Sequence, residues 1–185
     1  MKLALACALL IVLAGCRASA PLPVYWQVIP FELTSQSGQP FDSSSLAGSI
    51  WVADFIYTTC PGPCPRMSSQ MRGIQSATAS MPDVKLVSFT VDPKTDTPAV
   101  LAHYAQTYHA VPGRWFFLTG TQNALEKVCR HGFKIGDVDG SLEHSTRFAL
   151  VDRQGRVRGF YSPEDDDGAI AHLLRDIRQL HREKS

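Results

Sequence analysis

The side chains best placed to do chemistry are two cysteines with three residues between them, Cys60 and Cys64, in the run Cys60-Pro-Gly-Pro-Cys64-Pro65. The prolines restrict the backbone on both sides of each sulfur, so the pair is pre-organised at little entropic cost. A predicted helix follows directly, and thiols at a helix start face unpaired N–H groups and the positive end of the dipole, which favour thiolate and lower the pKa. Such a pair can cycle between dithiol and disulfide, or it can hold a soft metal ion. The Cys-x3-Cys loop is one residue wider than a Cys-x2-Cys redox loop and leaves room for an ion between the sulfurs. Two thiolates suit Cu(I), and an added imidazole lets the site hold Cu(II) as well.

That chemistry asks for a histidine. Of the six present, His103, His109, His172 and His181 fall on predicted helices or their ends, and His131 sits at a predicted helix C-terminus, where a partly charged imidazole suits the dipole. His144 differs, because it lies in the polar loop 136–145 just ahead of a predicted strand, Phe148 to Val151. In thioredoxin-like folds this loop faces the cysteine pair. Thiol oxidoreductases usually place a cis-proline there, and this chain has no proline between Gly113 and Pro163.

Asp54, six residues before Cys60, is an acid inside an apolar strand and should have either a hydrogen-bonded structural role or a function. Thioredoxins similarly place a buried acid there that moves protons during disulfide exchange, so Asp54 is a candidate proton relay. Asp92-Pro93 reads as a turn and Asp96 as a helix cap. Cys129 shares an inward helical face with Leu125 and Val128 and reads as a small buried hydrophobe.

Positioning these residues requires strands and helices in alternation. Phe31 to Phe41 reads as a hairpin around Gly38, and Ile50 to Tyr57 as a strand buried on both faces that delivers the cysteine loop. A helix from Pro65 puts Met67, Met71 and Ile74 on one face. Val84 to Val91 alternates as a strand, and the helix after Asp96-Thr97-Pro98 presents Val100, Leu101, Tyr104 and Tyr108 together. Then come a short strand at Trp115, a helix over Thr121 to Phe133, two strands joined through Gln154-Gly155, and a last helix burying Ile170, Leu173, Leu174, Ile177 and Leu180. This order predicts an α/β fold around one mixed central sheet flanked by helices.

The ends concern location. Lys2 followed by an apolar run from Leu3 to Ala14 reads as an export signal over residues 1–15, too short to span a bilayer comfortably. It ends in Leu13-Ala14-Gly15-Cys16, which resembles a bacterial lipobox and makes Cys16 the expected lipidated N-terminus; the alternative is ordinary cleavage near Ala18 or Ala20. Residues 16–30 carry Pro21, Pro23 and Pro30 and read as an extended tether, reaching on the order of 45 Å at most, before a single domain over 31–185. With 18 Lys and Arg against 17 Asp and Glu, no basic face suits nucleic acid. Cys7 leaves with the signal and Cys16 is taken by lipid, so Cys60, Cys64 and Cys129 remain, which is not a disulfide scaffold.

With these residues in view, the chain resembles the Sco/SenC family of copper proteins, which supply the dinuclear copper site of cytochrome c oxidase. Phe55-Ile-Tyr-Thr-Thr-Cys60-Pro-Gly-Pro-Cys64-Pro65 is similar to the family's cysteine motif, Val91-Asp92-Pro93-Lys-Thr-Asp96-Thr97-Pro98 to its central segment, and His144-Ser145 to its ligand histidine. The resemblance implies a thioredoxin-like fold and one copper ion, Cu(I) or Cu(II), on Cys60, Cys64 and His144. It further implies a membrane-anchored, extracytoplasmic monomer that passes copper to the oxidase copper-site subunit or another copper protein. Family members often have Asp before that histidine, where this chain has Glu143. The alternative is a thiol-disulfide oxidoreductase, with Cys60 and Cys64 reducing cysteines of a copper-accepting partner. A peroxidase is disfavoured because the Pro and Thr that precede a peroxiredoxin cysteine are absent, and closed structural zinc because it needs four ligands.

Overall fold

The apolar run after Ser49 becomes β3 (Ile50–Ile56), in which every residue is buried, as a strand covered on both faces must be. The computed structural model describes residues 20–134 and 145–183. Around β3 lie β1 (Glu32–Ser35), β2 (Pro40–Asp42), β4 (Val84–Thr90), β5 (Trp115–Thr119), β6 (Phe148–Val151) and β7 (Val157–Tyr161). They form one seven-stranded sheet in the order β2-β1-β5-β4-β3-β6-β7. Strands β3, β4 and β5 are parallel, and the remaining pairings are antiparallel. The sheet is therefore mixed, and β1 and β2 make the expected hairpin, with Gly38 at φ +77° in its turn.

Helices cover both faces. Met67, Met71 and Ile74 of α1 (Pro63–Ala77), Leu101 of α2 (Pro98–Thr107) and Leu173, Ile177 and Leu180 of α4 (Ala169–Arg182) pack with Ile50, Val52 and Ile56. On the other face, Leu125 of α3 (Gln122–Lys127) and Val128, Cys129 and Phe133 of the π-helical turn after it pack with Trp51, Phe55 and Phe89. Because β6 runs antiparallel to β3 with Ala53 opposite Ala149, the chain enters β6 at the end of the sheet where β3 delivers the cysteines. The opposite end is tied by Arg153, which pairs with Asp83 at 2.6 Å and donates to the Leu180 carbonyl at 2.7 Å.

Four local expectations need correction. Helix α1 begins at Pro63 rather than Pro65, so Cys64 lies inside its first turn. Strand β4 does not alternate, because it lies between β3 and β5 and is covered on both faces. Thr97, not Asp96, caps α2, and Val100 stands exposed while Leu101 and Ala105 face inward. The helix expected through Phe133 is α-helical only to Lys127 and widens into the π turn over Val128–Phe133.

Residues 20–30 are extended, as read, but they lie on the domain rather than spanning away from it. Gln179 donates to the Ala20 carbonyl at 2.8 Å, and Arg158 donates to the carbonyls of Leu22 and Pro23 at 2.7 and 2.8 Å. The Tyr25 and Val28 N–H groups then bond the β7 side of the sheet, and Trp26 donates its indole N–H to Gly132 at 2.8 Å. This strap covers part of the exposed edge of β7, the last strand of the sheet.

Candidate metal centre

Cys60 and Cys64 follow the C-terminal end of β3, and both thiols are buried, Cys60 at 6% exposure and Cys64 at 0%. A turn closed by the Cys60 N–H on the Tyr57 carbonyl at 3.2 Å brings the first thiol back over the start of α1. The pair is electrostatically unequal. Burial pushes the Cys60 thiol up, but hydrogen bonds from the Cys64 and Gly62 backbone, the Cys64 thiol and Tyr57 outweigh it and hold Cys60 below its ordinary value. Burial pushes the Cys64 thiol well up, and the neighbouring Cys60 and Asp54 charges add to the effect. The helix start therefore favours thiolate at Cys60 alone, whereas both were expected to be lowered.

Asp54 is completely buried on β3, sharing with Val52 and Ile56 the face that α1 covers. Neither carboxylate oxygen has a hydrogen-bond partner within normal distance among the described residues. Among the described residues, the nearby Ser88 hydroxyl is the one group that favours the charged form of this carboxyl from another side chain. Burial lifts this carboxyl to about 7, and the nearby Ser88 hydroxyl, which itself accepts from Trp115, offsets only part of that. A buried acid close to titrating at neutral pH, on the face shared with the cysteines, suits proton transfer.

Asp96 holds a position that its sequence context disguised. It is wholly buried and accepts from the Thr58 hydroxyl at 2.5 Å, the Thr58 N–H at 3.2 Å and the Thr90 hydroxyl at 2.5 Å. It therefore locks the residue two before Cys60 to the end of β4. The only sequence signal was an acid in a run of small polar residues ahead of Pro98, which reads equally well as a cap. Asp92 makes the expected turn, its carbonyl accepting from the Asp96 N–H at 2.9 Å.

His144 and Cys16 lie outside the described residues. The chain just after His144 is nevertheless located. Glu164 accepts from Thr146 at 2.8 Å and pairs with Arg66 of α1 at 2.9 Å, which fastens 145–147 beside the first turns of the cysteine helix. Among the described residues no three His, Cys, Asp or Glu side chains come together as a metal cluster. Two buried sulfurs with an apolar surround, including Met67, fit a soft monovalent ion that completes its coordination from one further donor. Cys129 packs with Leu125 and Val128 in the other core layer, as read.

Comparison with known proteins places this geometry in context. The profile of the SCO1/SenC family matches residues 25–179. A SCO1/SenC family lipoprotein from Bacillus anthracis is 32% identical with a TM-score of 0.74, covering 84% of this chain and 95% of its own. BsSco, a member of the Sco family of cytochrome c oxidase assembly proteins in which a disulfide switch was identified, is 31% identical with a TM-score of 0.75, covering 89% and 99%. Copper-bound ScoI of Bradyrhizobium japonicum has a TM-score of 0.68 at 24% identity, covering 83% and 99%, a likeness of fold.

Proposed function

This chain belongs to the SCO1/SenC family, and on that premise we propose that it is a copper metallochaperone of respiratory oxidase assembly. Cys60, Cys64 and His144 bind one copper ion as cargo and release it by ligand exchange to the dinuclear copper site of cytochrome c oxidase. The observation that carries this reading is the placement of two buried thiols in one short loop at the end of β3. Cys60 is biased toward thiolate, and Cys64 gives up its proton when a cation replaces it. Copper chemistry is further supported by the apolar surround, since soft thiolate ligands select Cu(I) over harder ions. His144 supplies the imidazole that extends the site to Cu(II), and Glu164 steadies the chain that follows it.

The location follows from the lipobox reading: Cys16 carries the lipid, and the domain works on the extracytoplasmic, periplasmic side of a membrane as a monomer. No described helix is long and apolar enough to cross a membrane. The Bacillus anthracis relative, described as a lipoprotein, supports the anchor.

A second reading draws support from Asp54. A buried acid behind a cysteine pair, without a close hydrogen-bond partner among the described residues, is what a thiol-disulfide oxidoreductase uses to move protons, and the BsSco disulfide switch agrees with it. Two substitutions separate the readings in cells lacking the native chain. A chaperone with His144→Ala loses oxidase copper loading, and one with Asp54→Asn keeps it. A reductase gives the reverse pattern.

A further inference from the structure

The strap leaves two consecutive large apolar residues in water, Val24 at 52% and Tyr25 at 53% exposure. Every other residue of the strap's middle is committed: Leu22 and Pro23 by their carbonyls to Arg158, and Trp26 by its indole to Gly132. Trp26 nonetheless keeps part of its ring at the surface, 5.7 Å from the partly exposed Phe160 ring, while Tyr25 lies 6.1 Å from Phe160. The result is one continuous aromatic ridge of Tyr25, Trp26 and Phe160, with exposed Val24 next to it in the chain. Exposed Lys134 borders it, with its ammonium 4.3 Å from the Trp26 ring centre. Tyrosine and tryptophan flanked by a cation are the side chains that settle at a membrane–water interface, rings among the headgroups and polar ends in water.

The chain outside the strap says what covers this ridge. Ala20 is already held against α4 by Gln179, so four residue steps separate the docked strap from Cys16, at most about 14 Å of chain. Given the lipid anchor on Cys16 proposed above, on which this inference rests, a bilayer is never farther from Ala20 than that reach. We propose that the Tyr25-Trp26-Phe160 ridge, with the exposed Val24 beside it, is a membrane-contact surface that seats the domain on the bilayer carrying its own lipid. The strap meets the domain at the last turns of α4 and the β6–β7 turn, the end of the sheet away from Cys60. Seating along the β7 edge leaves the cysteine loop, which is carried by β3 two strands in from β7, off the contacting edge.

Trp26 is the natural reporter, because the other two tryptophans, Trp51 and Trp115, are buried. The mature lipidated chain is placed in phosphatidylethanolamine–phosphatidylglycerol vesicles containing lipids brominated at shallow positions, and tryptophan emission is followed. Expected is quenching of the Trp26 contribution, reduced more than about twofold by Val24→Ser with Tyr25→Ser. The fraction bound and the near-ultraviolet circular dichroism stay unchanged. A lipidated chain that is bound but unquenched overturns the membrane contact and leaves the anchor standing, and so does equal quenching in the double variant. A Cys16→Ser chain that binds these vesicles as tightly as the lipidated one overturns the anchor instead, and its quenching then shows the ridge binding unaided.

Discussion

Asp96 accepts the Thr58 hydroxyl at 2.5 Å, and through that contact the segment ahead of Cys60 is fastened to the loop ahead of α2. The same carboxylate takes the Thr58 N–H and the Thr90 hydroxyl, so it fixes the loop backbone from the end of β4, a neighbour that has no covalent link to the cysteines nearby. Asp96→Ala should leave three donors without their acceptor and cost about 2–3 kcal/mol in denaturant unfolding. It should also loosen the cysteine turn, read as faster alkylation of reduced Cys60 under native conditions. Asp96→Asn should recover part of both losses, since its carbonyl can still accept. An Asp96→Ala chain of native stability and native alkylation rate would remove Asp96 from the account.

The two thiols should be distinguishable by reaction. Cys60, held below the ordinary thiol value and slightly exposed, is expected to react with iodoacetamide first, with a rate midpoint at lower pH than an unperturbed thiol. Cys64, fully buried and pushed up, should react only slowly until the loop opens. Mass mapping of partly alkylated protein checks the order. Equal labelling of both positions at every pH would contradict this inequality.

Asp54 makes a prediction with a definite sign. Its folded pKa, lifted by burial to about 7, lies above the value near 3.9 of an unfolded aspartate. Between those values the folded state holds the extra proton. The contribution of Asp54 to stability is therefore fully present below pH 4, declines as pH rises toward 7 and levels off above it. The limiting slope is about 1.4 kcal/mol per pH unit. Denaturant midpoints of wild type and Asp54→Asn, measured across this range, should converge at low pH and separate as pH rises, with the variant more stable at pH 8. Parallel curves would mean that the carboxyl titrates normally.

Much of this architecture was legible because its causes are local. The unbroken apolar run of β3 can only be a strand covered twice, and the spacing of Leu173, Ile177 and Leu180 can only bury one face of a helix. The cysteine loop was legible for a similar reason, since proline, glycine and cysteine at that spacing leave few backbone choices. Asp96 was misread because an acid ahead of Thr-Pro looks the same whether it caps the helix or turns inward, and the choice is made by Thr58 and Thr90, which are distant in sequence. The strap was misjudged for a related reason. Its prolines signal extended chain, but the donors that pin it, Arg158 and Gln179, sit at the other end of the sequence. Asp54 stood out in the sequence as an acid in an apolar strand, but the sequence did not show that its oxygens would find no close hydrogen-bond partner among the described residues.

The lipid anchor has its own test. Cys16→Ser should release the chain from the membrane fraction, and the mature wild-type N-terminus should carry the mass of a diacylglyceryl cysteine. An unmodified chain starting after Ala18 would point to ordinary cleavage. In that case the docked strap would remain as an edge cover for β7, without a membrane beneath it.

Copper titration of the full mature chain, with thiols counted in the same samples, bears most directly on the central claim. Reduced protein should bind one copper per chain with loss of both reactive thiols, and protein oxidised to the Cys60–Cys64 disulfide should bind poorly. His144→Ala should weaken binding by more than about a hundredfold, beyond the cost of losing an outer-sphere partner, while the disulfide still forms and breaks. Equal, tight, stoichiometric binding before and after oxidation, or in His144→Ala, would contradict coordination by these three residues.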